Sequence, residues 1–123
     1  MQIIIDNDIL FSLMKPDSTN SFLFINSNLE FIAPFFILEE FKKHEKECLI
    51  KSKLSKERFT ERKEIIFSKI NLIDFKYYED FLQDAIKITP DIDDAPYFAL
   101  ALKTNSAIWT NDSKLKNQNK VRI

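Results

Sequence analysis

The 123-residue chain contains no glycine. That removes the phosphate loops GxGxxG and GxxxxGK[ST], in which the backbone must approach the ligand without a Cβ in the way. The nucleophile elbow GxSxG is excluded for the same reason. A single cysteine, Cys48, cannot form an internal disulfide or a CxxC pair for zinc or redox work, and is expected to be an inert, partly buried thiol. A single histidine, His44, excludes HExxH and histidine-rich metal sites. A Ser–His–Asp triad would have to run through it, in a stretch crowded with lysine and glutamate. No apolar run approaches the roughly 20 residues of a membrane span. The first residues lack the basic, apolar and cleavage regions of a secretory leader, so we expect a soluble protein of the reducing cytoplasm with no membrane contact.

What is present is 45% hydrophobic and 30% charged, with a net charge of -1, which argues against disorder. The length suits one domain over residues 1–123, large enough to bury a core without covalent staples. By elimination, any chemistry falls to carboxylates, hydroxyls, lysines or aromatic side chains.

Apolar β-branched runs at Gln2–Ile5, Glu30–Ala33, Ile70–Ile73 and Ala107–Thr110 read as strands, with Val121–Ile123 as a candidate fifth. Helical patterns lie between them. Ile9–Met14 is halted by Lys15-Pro16, and Ser18 or Thr19 caps a second piece over Asn20–Asn26. A long helix is expected from about Phe35 to Lys53, and another from an N-cap at Ser55 to about Lys69. Tyr77–Lys87 and Asp93–Lys103 complete the set, with Pro96 tolerated in a first turn. Strands alternating with helices imply an α/β fold with a parallel sheet covered on both faces. Phe35, Phe36, Phe41, Phe81, Tyr97, Phe98 and Trp109 are expected in the core before any role in base stacking.

The acids fall at suggestive places. Asp6 and Asp8 follow the first strand, Glu39 and Glu40 open the helix after the second, Asp91, Asp93 and Asp94 surround the start of the helix before the fourth, and Asp112 follows that strand. A parallel sheet gathers such positions at one rim. Carboxylates meeting there would resist ionisation unless a divalent cation offset their charge. Mg²⁺ and Mn²⁺ favour oxygen ligands. Each acid also has an ordinary alternative: Asp6, Asp8, Asp91 or Asp93 as a helix cap, Asp94 on a helix dipole, Glu39 and Glu40 on a solvated face, Asp112 in turn chemistry.

Four stretches together resemble a PIN domain: Ile3-Ile4-Ile5-Asp6-Asn7-Asp8-Ile9-Leu10, Ile37-Leu38-Glu39-Glu40-Phe41, the most specific one from Pro90-Asp91-Ile92-Asp93-Asp94-Ala95 to Leu102, and Ala107-Ile108-Trp109-Thr110-Asn111-Asp112. The resemblance covers nearly the whole chain. It implies a three-layer α/β/α sandwich around a mostly parallel sheet of four or five strands, a site for Mg²⁺ or Mn²⁺, and cleavage of RNA phosphodiester bonds. The family's acids map onto Asp6, Glu40, Asp94 and Asp112, with Asp91 as an auxiliary ligand. Glu40 is preferred to Glu39 because the family acid directly precedes the apolar residue. Thr110 and Asp8 would stand behind these ligands and orient them. Asp8 occupies a position where the family often has Asn, which adds charge. Asp6, Asp94 and Asp112 would hold one or two ions, and Glu40 would bind a second ion or orient the attacking water. The resemblance also admits an antitoxin protein as partner, and a homodimer.

RNA needs a basic surface. Between Lys42 and Lys63 there are nine Lys or Arg and four Glu, whereas the remainder of the chain is acidic. Lys42, Lys43, Lys46, Lys51 and Lys53 are therefore candidates for RNA-backbone contacts, against the ordinary reading of a solvated helix face paired with Glu45 and Glu47. Three other functions compete with a nuclease. A PIN-like chain could bind RNA or protein without cutting. A haloacid-dehalogenase-like phosphatase would use Asp6 as nucleophile, with Lys87 and Asp93-Asp94 in support. A receiver domain would use Asp6, Asp74, Thr110 and Lys114.

Overall fold

Four short strands account for the sheet: β1 (Gln2–Ile5), β2 (Glu30–Pro34), β3 (Ile70–Ile73) and β4 (Ala107–Trp109). A computed structural model describes residues 1–123 and arranges them in the order β3-β2-β1-β4, with all pairings parallel. Ile4 faces Ile32 on one neighbour and Ile108 on the other, so β1 is buried on both faces. This is why the strand reads as a continuous apolar run and does not alternate. Pro34, which has no N–H to donate, is the last residue of β2, beyond the end of the β1 ladder at Ile32 and paired only with Ile73 of β3.

The connections decide which helix covers which face. From β1 to β2 run α1 (Asn7–Leu13) and α2 (Thr19–Ile25), and from β2 to β3 run α3 (Phe36–Lys43), α4 (Glu45–Ser52) and α5 (Lys56–Ser68). The chain then steps back across the sheet through α6 (Phe75–Tyr78), α7 (Leu82–Ile88) and α8 (Ala95–Thr104) to reach β4. Right-handed crossovers put the first five helices on one face and the last three on the other. The packing agrees: α1 lies on α2 and α3, whereas α8 crosses β2, β1 and β4 and carries α6 and α7. The result is the three-layer α/β/α sandwich, with Phe98, Leu100, Ile4, Ile5 and Leu10 fully buried between the layers. Arg62 of α5 ties this face together, donating from Nε to the Leu13 carbonyl at 3.0 Å and from Nη2 to the Ser21 hydroxyl.

Local chemistry sets the helix ends. Ser18 caps α2 by accepting from Ser21 N, and Ser55 caps α5 by accepting from Arg58 N, as the sequence predicts. With no glycine available, the left-handed positions that close α4 and α8 fall to Lys53 (φ 61°) and Asn105 (φ 54°).

Three expectations are corrected. The helix expected from Phe35 to Lys53 is two helices that break at His44. A straight helix would place His44 on the face shared by Ile37, Phe41 and Cys48, all buried. The break turns the imidazole out to solvent and leaves only its edge against Phe11, at 6.2 Å between ring centroids. The helix expected over Tyr77–Lys87 begins earlier, because Asp74 caps α6 through Lys76 N, and tightens into a 3-10 turn at Glu79–Phe81 before α7. Val121–Ile123 forms no fifth strand. Gln118 Oε1 accepts from Val121 N at 2.8 Å and Gln118 Nε2 donates to Val121 O at 2.9 Å, so both groups that a ladder would use are occupied. One backbone bond to the sheet remains, from Ile108 N to Arg122 O.

Two substitutions separate core packing from capping. Phe98→Ala empties a fully buried site and is expected to cost about 3–5 kcal/mol. Ser55→Ala removes only the α5 cap and is expected to cost about 1 kcal/mol. Urea unfolding monitored by circular dichroism measures both.

Candidate active site

β1 is where the strand order turns back: the chain leaves it towards β2, and β4 returns to its other side. In open parallel sheets such a point leaves a crevice beyond the carboxyl ends of the strands. Asp6 is the first residue past β1 and sits there, only 5% exposed. Its Oδ1 accepts from Ile9 N at 3.0 Å and so caps α1. The Thr110 hydroxyl, just beyond β4, lies near enough to this carboxylate to favour its charged form. Thr110 Oγ1 accepts from Asp112 N at 3.0 Å, and the bond from Asp6 N to the Trp109 carbonyl ties the end of β1 to β4.

The crevice opens into a cavity of about 880 Å³ whose acidic part is lined by Asp6, Asp8, Glu40, Asp93 and Asp94. Helix geometry selects Glu40 over Glu39. At about 100° per residue, Glu40 lies about 60° from the buried Ile37, whereas Glu39 lies about 160° away and is exposed. Glu40 Oε1 accepts a hydrogen bond from the hydroxyl of Tyr97 on α8. Asp94 holds the N-cap position of α8 but its side chain caps nothing. Asp91 and Asp112 act as caps: Asp91 accepts from Asp93 N at 3.0 Å, and Asp112 accepts from Lys114 N at 2.9 Å. Both still lie close enough for their charges to raise the pKa of Asp94.

The electrostatics record this crowding. Burial pushes the Asp6 carboxyl up to about 6, with Asp8 and Glu40 adding to the effect, while the bonds from Thr110 and Ile9 oppose it. Burial also pushes Asp94 up to about 7, reinforced by Asp91, Glu40, Asp6 and Asp112. Glu40 is raised by burial and by Asp8 and Asp93, against the Tyr97 bond and a small opposing effect of Lys43. Nearby, the carbonyl oxygen of the Asn7 side chain is buried without a hydrogen-bond partner. No three carboxylate, imidazole or thiol groups converge tightly enough to form a ready-made cage for an ion.

The rest of the cavity is basic and aromatic. Lys15, Lys43, His44 and Lys51 line it together with Phe11 and Phe36. Of the lysines singled out in the sequence, Lys43 and Lys51 border the cavity, whereas Lys42, Lys46 and Lys53 do not. Lys51 pairs with Glu47 at 2.8 Å on the exposed surface. Sequence reasoning passed over Lys15 and Asn111 as site residues, and it placed Tyr97 in the core ahead of base stacking. Tyr97 is 1% exposed, so that placement holds, but its hydroxyl reaches the site. The spacing of three residues from Asp94 on one helix face was the available signal. Cys48 is buried, and burial pushes its thiol up to about 11, which keeps it protonated and inert. Neither Lys87 nor Asp74 lines the cavity, which removes the phosphatase and receiver constellations. One aromatic residue differs from expectation: Phe35 is 49% exposed. Phe36, Phe81 and Trp109 pack partly buried against the core, and Trp109 also borders a second, apolar groove of about 760 Å³ with Phe22, Leu23 and Leu29.

A sequence profile of the PIN domain matches residues 4–119. No curated protein sequence matches the chain. Twelve chains of solved structures match it, two of which illustrate the shared fold. The VapBC2 complex of Rickettsia felis, bound to a DNA fragment of its promoter, aligns with a TM-score of 0.64 at 19% identity, over 99% of this chain and 96% of that one. VapC20 of Mycobacterium tuberculosis, a toxin that cleaves the sarcin–ricin loop, aligns with a TM-score of 0.64 at 13% identity, over 98% of this chain and 99% of that one.

The raised carboxyl pKa values have a consequence for stability. In the unfolded chain an Asp titrates near about 3.9, well below Asp6 and Asp94 in the folded state. Between those values the folded protein binds more protons than the unfolded one, so its stability rises as pH falls through the folded values and the gain is complete below the unfolded value. With chelator present, the melting temperature is therefore expected to be higher at about pH 5.5 than at about pH 8. Asp94→Asn should flatten that slope, and an unchanged slope would contradict the assignment.

Proposed function

The chain belongs to the PIN-domain family, and on that premise we propose that it is a divalent-metal-dependent endoribonuclease, acting in the cytoplasm as the toxin of a toxin–antitoxin pair. The observation that carries this reading is the meeting of Asp6, Glu40 and Asp94, from three separate elements, in one cavity where burial and mutual repulsion raise all three carboxyls.

The donors fit a hard cation. All are oxygens, they lie beside an unpartnered buried amide oxygen at Asn7, and the repulsion felt by Asp94 is offset by no basic side chain. Asp6, Asp94 and Asp112 would hold Mg²⁺ or Mn²⁺, with Asp91 contributing from the rim and Glu40 serving a second ion or the attacking water. When bound, such an ion lowers the pKa of a coordinated water and offsets charge that builds on the phosphate.

The protein supplies the rest. Thr110 and the Ile9 N–H hold Asp6 in one orientation, with one oxygen spent on the cap. Glu40 orients the attacking water and accepts its proton at the carboxylate oxygen not held by Tyr97. Asp8 adds negative charge at the mouth. Lys15, Lys43 and Lys51 face the acids across the cavity and guide the RNA backbone, so that a phosphate comes to rest over the carboxylates. An antitoxin partner is part of this reading, supported by the uncovered apolar side chains of Phe22, Leu23 and Leu29.

Asp6→Asn is the decisive variant. Asparagine keeps the cap on α1, so the melting temperature should not fall, while metal-dependent cleavage of RNA should drop by roughly two to three orders of magnitude. Chelation should abolish wild-type activity, and Mg²⁺ or Mn²⁺ should restore it. Full cleavage by Asp6→Asn, purified free of contaminating nuclease, would remove the assignment. RNA binding without cleavage in either protein would leave a non-catalytic PIN-like module. RNA affinity should also fall steeply with added salt, and less steeply in the Lys15→Ala/Lys43→Ala variant, which has lost two phosphate contacts.

A further inference from the structure

Asp6, Asp91 and Asp112 are held by backbone amides, but Glu40 is held by a side chain from the opposite layer. Tyr97 sits in α8 with its ring buried and the Phe36 ring against it, at 6.4 Å between centroids and 67° between planes. Its hydroxyl donates to Glu40 Oε1. The second oxygen, Oε2, takes no bond from the protein and is not buried, and the side chain that carries it lines the cavity. We infer that Tyr97 is a positioning residue for the proposed nuclease reaction: its hydroxyl fixes one oxygen of Glu40 and thereby aims the other at the cation and the attacking water.

Three features support this. A glutamate on a half-exposed helix has three rotatable bonds and samples many positions unless something holds it. Tyrosine, with two torsions and a rigid ring, is a stiff support, and here its ring is locked by packing. A neutral hydroxyl also orients a carboxylate without cancelling its charge. A lysine or arginine in the same place would hold Glu40 more strongly, but would remove the negative potential that a cation needs. The same helix carries Asp94 one turn earlier, so α8 presents both an acid and the support for a second acid, and any shift of α8 moves the two together.

The inference rests on the nuclease reading, and the experiment separates the two. Full-length wild type, Tyr97→Phe, Glu40→Gln and the double variant are compared by titration with Mn²⁺ alone, by steady-state cleavage of a labelled RNA oligonucleotide, and by thermal unfolding. Tyr97→Phe keeps the ring and its packing. It is expected to weaken Mn²⁺ binding and to lower kcat, each by about tenfold, with the KM for RNA unchanged. In the Glu40→Gln background the same substitution is expected to have no further effect on either quantity. A Tyr97→Phe protein that melts lower but binds Mn²⁺ and cleaves like wild type would show a purely structural tie and overturn the inference. So would a loss of equal size in the Glu40→Gln background. A wild-type protein that neither binds Mn²⁺ nor cleaves RNA would overturn the nuclease reading, and the inference with it.

Discussion

The carboxylate of Asp6 is buried at the end of the first strand, against its own solvation and in sight of other acids, and it stays there because one of its oxygens starts helix α1. Much of the site follows from that placement. The bond from Ile9 N sets the direction in which the chain leaves β1, and the bond from Asp6 N to the Trp109 carbonyl ties the same residue to the neighbouring strand end. A buried acid whose pKa is raised to about 6 is a cost in the folded state, and it persists because the cap and the two-sided burial of β1 over-determine its position. Perturbed acids in a cleft are common at functional sites, where the strain prepares the protein for a ligand that relieves it.

A cap bond does not use up a carboxylate. A carboxylate has two oxygens, and Asp6, Asp91 and Asp112 each give one to a backbone N–H. That bond fixes the rotamer and leaves the other oxygen in a defined direction. Asp94 shows the complementary case: it holds an N-cap position yet caps nothing, and its pKa is raised further than that of Asp6. Hydrogen bonds to a carboxylate lower its pKa, so the absence of a cap bond at Asp94 is consistent with that order.

The cavity lining carries both signs. Glu40 and Lys43 of α3, His44 at the break and Lys51 of α4 border it together, with Lys15 joining them from between α1 and α2. The division of charge along the chain recurs within one cavity, where Asp6, Asp8, Glu40, Asp93 and Asp94 share a lining with Lys15, Lys43 and Lys51.

Much of this was legible in the residues. The β-branched runs, the caps at Ser18 and Ser55 and the alternation of strand with helix determined the α/β class, and four acids at strand and helix ends pointed to a common rim. These signals are local: burial on both faces of a strand and capping of an orphan N–H act over a few residues and leave their mark in sequence. What only the tertiary structure decided is non-local. The loss of a fifth strand depends on Gln118 occupying the backbone of Val121, the break at His44 depends on what lies beneath Phe41 and Cys48, and the hydroxyl of Tyr97 finds Glu40 only because α8 and α3 meet at the end of the sheet from opposite layers. Residues 57 positions apart carry no periodicity that links them, and only the packing of two layers brings their polar atoms together.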